Sequence, residues 1–291
     1  MRSVITVFLV LISLNLFLPA VIRADDKNPK KKKKSQNAEI KKIKPSLLSI
    51  TQKLNDLSAD ENFYGRPEKI AARWNVIITD IRKSNLSRKD AVDSLYVFTN
   101  QLWDFMNARI AAKAIKKYSD AEWVFPLKGY GPAAIGGRNG NGYIVGGFDF
   151  FDGNTGGHPA QDIFINDRDQ DGLDDNTGKP VEVLSMSGGI VIETRKNWTT
   201  DMMDIKGGNI VYIYDNYTNG LFYYAHLKDV LVNVGDYVEP GKVIGTVGRT
   251  GKNAYPSRSP THLHIMYVRS FDGDLVPENL YKDLINVKTL N

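Results

Sequence analysis

Residues 261–269 read THLHIMYVR, and this stretch decides the fold of the C-terminal half of the chain. Side chains along a strand point to opposite faces in turn. His262 and His264 therefore share one face, ~6.5 Å apart at the rise of an extended chain, while Leu263, Ile265 and Tyr267 face the core. Working back from it, VEVLSMSGGIVIE at 181–193, NIVYIYDN at 209–216, GLFYYAHL at 220–227 and KVIGTVG at 242–248 are further short runs of β character. Gly235-Asp236 and Pro240-Gly241 supply tight turns. Alternation, Gly-rich turns and spacings of about ten residues predict a mainly antiparallel β domain over 120–291.

The chain has four histidines, at 158, 226, 262 and 264, and no cysteine. Without thiolates, a metal has only nitrogen and oxygen ligands. HPAQD at 158–162 pairs a histidine with a carboxylate four residues on. In a straight strand the two would lie about 13 Å apart, so a bend must bring them together, and Pro159 favours one. His226 follows the apolar run LFYYA at a strand end. Each histidine alone reads as structural. All four fall inside the β domain, which points to a shared site.

H-x-x-x-D, then A-H-L, then H-x-H, in this order and with these intervals, resembles the lysostaphin/LytM-type zinc endopeptidases over residues 129–274. The resemblance implies a folded antiparallel sheet with a groove across one face. It implies that His158, Asp162 and His264 are zinc ligands, that His226 and His262 are catalytic, and that the substrate is the peptide of bacterial peptidoglycan. Two neutral imidazoles and one carboxylate leave Zn²⁺ a positive charge and an open position, as a catalytic site needs, and water there has its pKa lowered toward 7. Either catalytic histidine fits the part of base, of oxyanion stabiliser or of proton donor to the leaving amine. The family usually has Gly where this chain has Ala160, which puts the shape of that turn in question. A non-catalytic wall-binding regulator or activator is the alternative, disfavoured because all five positions are filled.

NDRDQDGLDD at 166–175 places Asp167, Asp169, Asp171 and Asp175 around Gly172, a pattern suited to Ca²⁺. The twelfth position is Gly178 and not Glu, so the loop reads equally as a solvated acidic turn. Trp198 and Tyr212 are candidates for the groove lining or for the core.

Before the β domain, residues 46–119 have helical periodicity, so the fold class is α+β. Leu47, Ile50, Leu54 and Leu57 mark a first helix. Pro67 opens a second with Ile70, Trp74, Ile77 and Ile81 on one stripe. Ser87 with Asp90 caps a third carrying Leu95, Phe98, Leu102, Phe105 or Met106, and Ile110, ending near Lys117. These apolar stripes are expected to be buried between the module's own helices.

Residues 1–24 read as a secretory signal, with Arg2, an apolar run and small residues at its end. The chain is then exported to the periplasm, envelope or exterior. Residues 25–45 form a basic linker whose nine lysines account for the pI near 9.1, and the folded body is net acidic. That linker reads as a solvated spacer or a contact for anionic envelope polymers. Nucleic-acid binding is excluded for an exported chain without a basic folded surface.

Overall fold

The computed structural model describes residues 67–151 and 156–291. The signal, the basic linker and the first expected helix lie outside the described residues. Two helices come first, α1 (Pro67–Arg82) and α2 (Arg88–Ala111). Pro67 is the first residue of α1, as its fixed φ favours. Ser87 caps α2, its Oγ accepting from the Asp90 amide at 3.2 Å. The helix stops at Ala111, short of Lys117.

Nine strands follow: β1 (Gln161–Phe164), β2 (Glu182–Leu184), β3 (Gly189–Arg195), β4 (Asn209–Asp215), β5 (Gly220–Val230), β6 (Tyr237–Val238), β7 (Val243–Val247), β8 (His262–Phe271) and β9 (Asp274–Glu278). All pairings between them are antiparallel, in the order β1-β8-β5-β4-β3-β6. β9 extends the β1 edge of β8. β7 pairs with the far end of β5 and with β2.

Strand alternation sorts the side chains into two layers. Val211, Ile213, Phe222, Tyr224, Leu263, Ile265 and Tyr267 face a core closed by β2, β7, Trp123, Phe125 and Leu127. Ile190, Ile192, Ile210, Tyr214, Leu221, Met266 and Val268 face the other way, against the helices.

The expectation of a self-contained helical core is corrected here. Trp74, Ile77, Ile78, Ile81, Leu95, Phe98, Leu102, Phe105 and Met106 share one buried cluster with that second sheet face. Ile110 is only partly buried. A pair of amphipathic helices is too thin to enclose so many large side chains, so the stripes need the sheet. Trp74 is at the centre of the contact. Its ring lies 5.6 Å from Phe98 and 5.7 Å from Tyr212, and its indole N–H donates to buried Glu193 at 2.7 Å. Glu193 reaches this face because β3 bulges between Val191 and Glu193.

Trp74→Ala is expected to lower stability by about 3–5 kcal/mol, the usual cost of emptying an aromatic core site, measured by urea unfolding. A chain beginning at Asp120 would expose Ile190, Ile192, Ile210, Met266 and Val268, and is expected to be insoluble. A soluble, cooperatively folding Asp120 chain would show that the sheet does not need the helices.

Candidate metal and catalytic site

The site is built where β8 begins. In the antiparallel register Asp162 of β1 lies opposite His264, and Ala225 of β5 lies opposite His264 on the other side. Directly opposed residues have neighbouring side chains, so the Asp162 carboxylate meets the His264 ring without any special loop. His158 is delivered by the bend expected in HPAQD. Its backbone pairs with Ile144 in an isolated bridge, and the Ala160 amide then bonds back to the His158 carbonyl at 2.8 Å, a three-residue turn. Ala160 is buried in the helix-side cluster and has no left-handed φ. Its methyl therefore fits the turn where the resemblance anticipated Gly.

Three atoms converge. Asp162 Oδ1 lies 3.1 Å from His158 Nε2 and 3.0 Å from His264 Nδ1, and the two nitrogens are 3.2 Å apart. Ligands about 2.0–2.1 Å from a tetrahedral ion lie about 3.3 Å from one another, so the triangle already has the dimensions of three corners of a zinc site. Among the described residues these three form one of two groups able to hold a metal. His158 Nδ1 faces the Gly142 carbonyl at 2.8 Å. A carbonyl only accepts, so Nδ1 carries a proton and Nε2 faces the triangle, where it donates to Asp162 as the imidazolium and offers a lone pair to a metal once that second proton is lost. Burial opposes ionisation of Asp162, but bonds from His158 and His264 hold its carboxyl far below the ordinary range. The same bond to Asp162 raises His158.

His226 arrives by a break in alternation. Tyr224 faces the core and Ala225 the site, so strict alternation would bury His226 in the core. Instead β5 carries an extra residue, between Val211↔Tyr224 and Asn209↔Leu227. His226 has φ +65°, a left-handed conformation that costs a non-glycine residue about 1–3 kcal/mol. The bulge turns its ring to within 4.9 Å of His262 and 5.6 Å of His264. Two bonds hold it there: its amide to the Gly207 carbonyl at 2.9 Å, and Nδ1–H to the Thr250 carbonyl at 2.8 Å. Gly208 and Gly251 let these loops touch, since a Cβ on Gly251 would sit 2.4 Å from the Gly208 nitrogen. His262 Nδ1–H likewise donates to the Pro260 carbonyl at 2.7 Å, and its Nε2 lies 3.7 Å from Asp162 Oδ1. In its neutral form each ring therefore turns an Nε2 lone pair inward. Burial lowers both, His226 to about 3 with help from the neighbouring His264 and His262.

The carboxylates of the acidic loop have partners within the fold. Asp167, Asp169 and Asp175 come together, whereas Asp171 turns to accept from the Leu173 amide at 2.7 Å. Buried Asp167 accepts from the amides of Asp171 and Gly172 and from the Thr261 hydroxyl at 2.6 Å. Asp175 accepts from the Arg168 amide. Ca²⁺ binding has no support beyond the closeness of three of these carboxylates. Asp167 instead fixes Thr261, the residue before His262. Arg249 works on the same segment, donating to the Ser259 and Pro256 carbonyls and to Thr261 Oγ1. Sequence reasoning missed Arg249, whose only signal is its place in the run VGRTG.

A cavity of about 600 Å³ opens over the site, lined by His158, His226, His264, Tyr212 and Tyr223. Trp198 is not in that lining; its ring lies tilted against Tyr255, 5.6 Å between centroids. A larger, shallower hollow of about 1120 Å³, beside Tyr130, Phe164 and Asp174, contains no histidine.

Residues 168–275 match peptidase family M23. The chain is 32% identical over 169 residues to lysostaphin of Staphylococcus staphylolyticus and equally to that of Staphylococcus simulans, covering 57% of this chain. It spans only about a quarter of those relatives, 27% and 26% of their length. Among solved structures it is similar to the catalytic domain of lysostaphin from Staphylococcus simulans, at 26% identity over 52% of this chain and 90% of that one, with a TM-score of 0.34.

Asp167→Ala is expected to cost about 2–3 kcal/mol, since hydrogen bonds to a buried charge are lost, and added Ca²⁺ should leave the melting temperature of the parent protein unchanged. A rise of several degrees with Ca²⁺, lost in Asp169→Asn, would restore the cation reading.

Proposed function

We propose, from the match of residues 168–275 to peptidase family M23, that the protein is a zinc-dependent endopeptidase cutting the peptide cross-links of bacterial peptidoglycan. The observation that carries this reading is the triangle of His158 Nε2, Asp162 Oδ1 and His264 Nδ1, with sides of 3.0–3.2 Å. Its donor set of two imidazoles and one carboxylate suits Zn²⁺ with a position left open. When bound, the ion supplies an acidified water and polarises the scissile carbonyl.

The chain's own groups handle the protons. His262 presents an Nε2 lone pair beside the Asp162 carboxylate, whose charge favours the imidazolium that forms when a proton is taken. It is therefore the general base. His226 has its Nδ1–H tied to Thr250, so it donates toward substrate only from a protonated Nε2, and its place is at the oxyanion or the leaving amine. The regulator reading is weaker, because every position needed for chemistry is filled and mutually arranged. Export by residues 1–24, and contact of the linker at 25–45 with anionic envelope polymers, belong to the same proposal.

His264→Ala is expected to lose zinc by metal analysis while keeping its circular dichroism spectrum. His226→Ala and His262→Ala should retain zinc and lose about 10²–10⁴-fold in turnover of cross-linked muropeptides. Stoichiometric zinc in His264→Ala, or near-normal turnover in either of the others, would remove that residue from its role.

A further inference from the structure

The sheet face that carries His262 and His264 is the same face that the helices cover. Met266 and Val268 continue it along β8, and both belong to the cluster with Trp74 and Phe98. The cavity over the site therefore cannot run on across the sheet. Its lining includes Ile78, Ile81 and Arg82 of α1 together with His158 and His264. The segment 148–151 completes this wall: Phe150 packs 6.4 Å from Trp74, and Arg88 of α2 sits 5.0 Å over Phe151 and pairs with Asp149.

At this closed end two cations share one carboxylate. Glu193 Oε2 accepts the Trp74 indole N–H at 2.7 Å. Its other oxygen is approached by two guanidiniums, Arg82 and Arg195, each at 3.7 Å. Two arginines on one carboxylate leave a positive charge over. At 3.7 Å neither contact is a hydrogen bond, and Arg82 donates none among the described residues. Arg195 is committed to the Gly208 carbonyl at 3.3 Å and is mostly buried. The Arg82 side chain is 52% exposed. It ends the wall with a planar fork of free donors, the group best shaped to grip a carboxylate.

We propose that α1 is the end wall of the substrate groove and that Arg82 is a specificity-determining residue there, selecting a cross-link peptide with a free carboxylate near the scissile bond. This rests on the peptidase reading of the site and adds the chemistry of its substrate. A diamino-diacid cross-link has such a carboxylate; an all-glycine bridge has none along its length.

The test separates the two readings by using binding. Zinc-supplemented full-length His262→Ala protein is titrated with a cross-link peptide containing a diamino-diacid, once as the free acid and once with that carboxyl amidated. The free acid should bind about three- to fivefold more tightly, as a partly exposed ion pair allows. Adding Arg82→Gln should equalise the two peptides, and Arg82→Lys should restore part of the preference. A preference that survives Arg82→Gln, or equal or absent binding of both peptides before that change, overturns the proposal. Selective binding by a parent protein that hydrolyses neither peptide overturns the peptidase reading alone.

Discussion

The hydrogen-bond register between β8 and its two neighbours is the constraint on which the rest depends. With Asp162 and Ala225 both opposite His264, one strand position places a carboxylate beside an imidazole and a methyl group on the other side, where a cavity can open. A slip of one residue in either ladder would turn His262 and His264 into the core and bring Leu263 and Ile265 out. The burial of Leu263, Ile265 and Tyr267 is what forbids that slip. Core packing and metal-site geometry are two faces of one register.

Regular pairing supplies three of the five groups at the site, Asp162, His262 and His264. The others come from departures. The three-residue turn after His158 folds back a distance that an extended chain would stretch to about 13 Å. The bulge in β5 flips His226 across the sheet at the expense of a left-handed backbone. Both departures are stabilised locally by carbonyls that also fix ring tautomers, at Gly142 for His158 and at Thr250 for His226. Strain and protonation state are thus set by the same bonds.

These departures mark the limit of what the sequence could show. The strands, the shared face of His262 and His264, and the inward set of Leu263, Ile265 and Tyr267 follow from alternation, and alternation is visible in letters. The HPAQD bend was legible because the arithmetic of an extended chain failed there. The His226 bulge was not, since nothing in AHL distinguishes a strand end from an inserted residue. The fate of the acidic loop was hidden for another reason: a carboxylate pattern suits backbone amides as well as it suits a cation, and only the fold brings Thr261 to Asp167. The covering of the second sheet face did leave a trace. NIVYIYD is apolar at both parities, and all seven of its residues are buried, the mark of a strand covered on both sides. The periodicity of the helices shows which face is buried but not what buries it.

That partner joins stability to the groove. Trp74, Glu193 and Arg82 form one chain of contacts from the interface between helix and sheet to the wall of the cavity. Glu193 is 6% exposed, and a buried carboxylate without donors or cations would be costly. The indole N–H and the two guanidiniums are those partners. In turn, its single charge cannot satisfy both arginines, so the pairing that makes the interface tolerable also leaves Arg82 in want of an anion. A helix whose apolar face is needed to close the sheet thereby brings its last residue, which shares Glu193 with Arg195, to the wall of the cavity over the site.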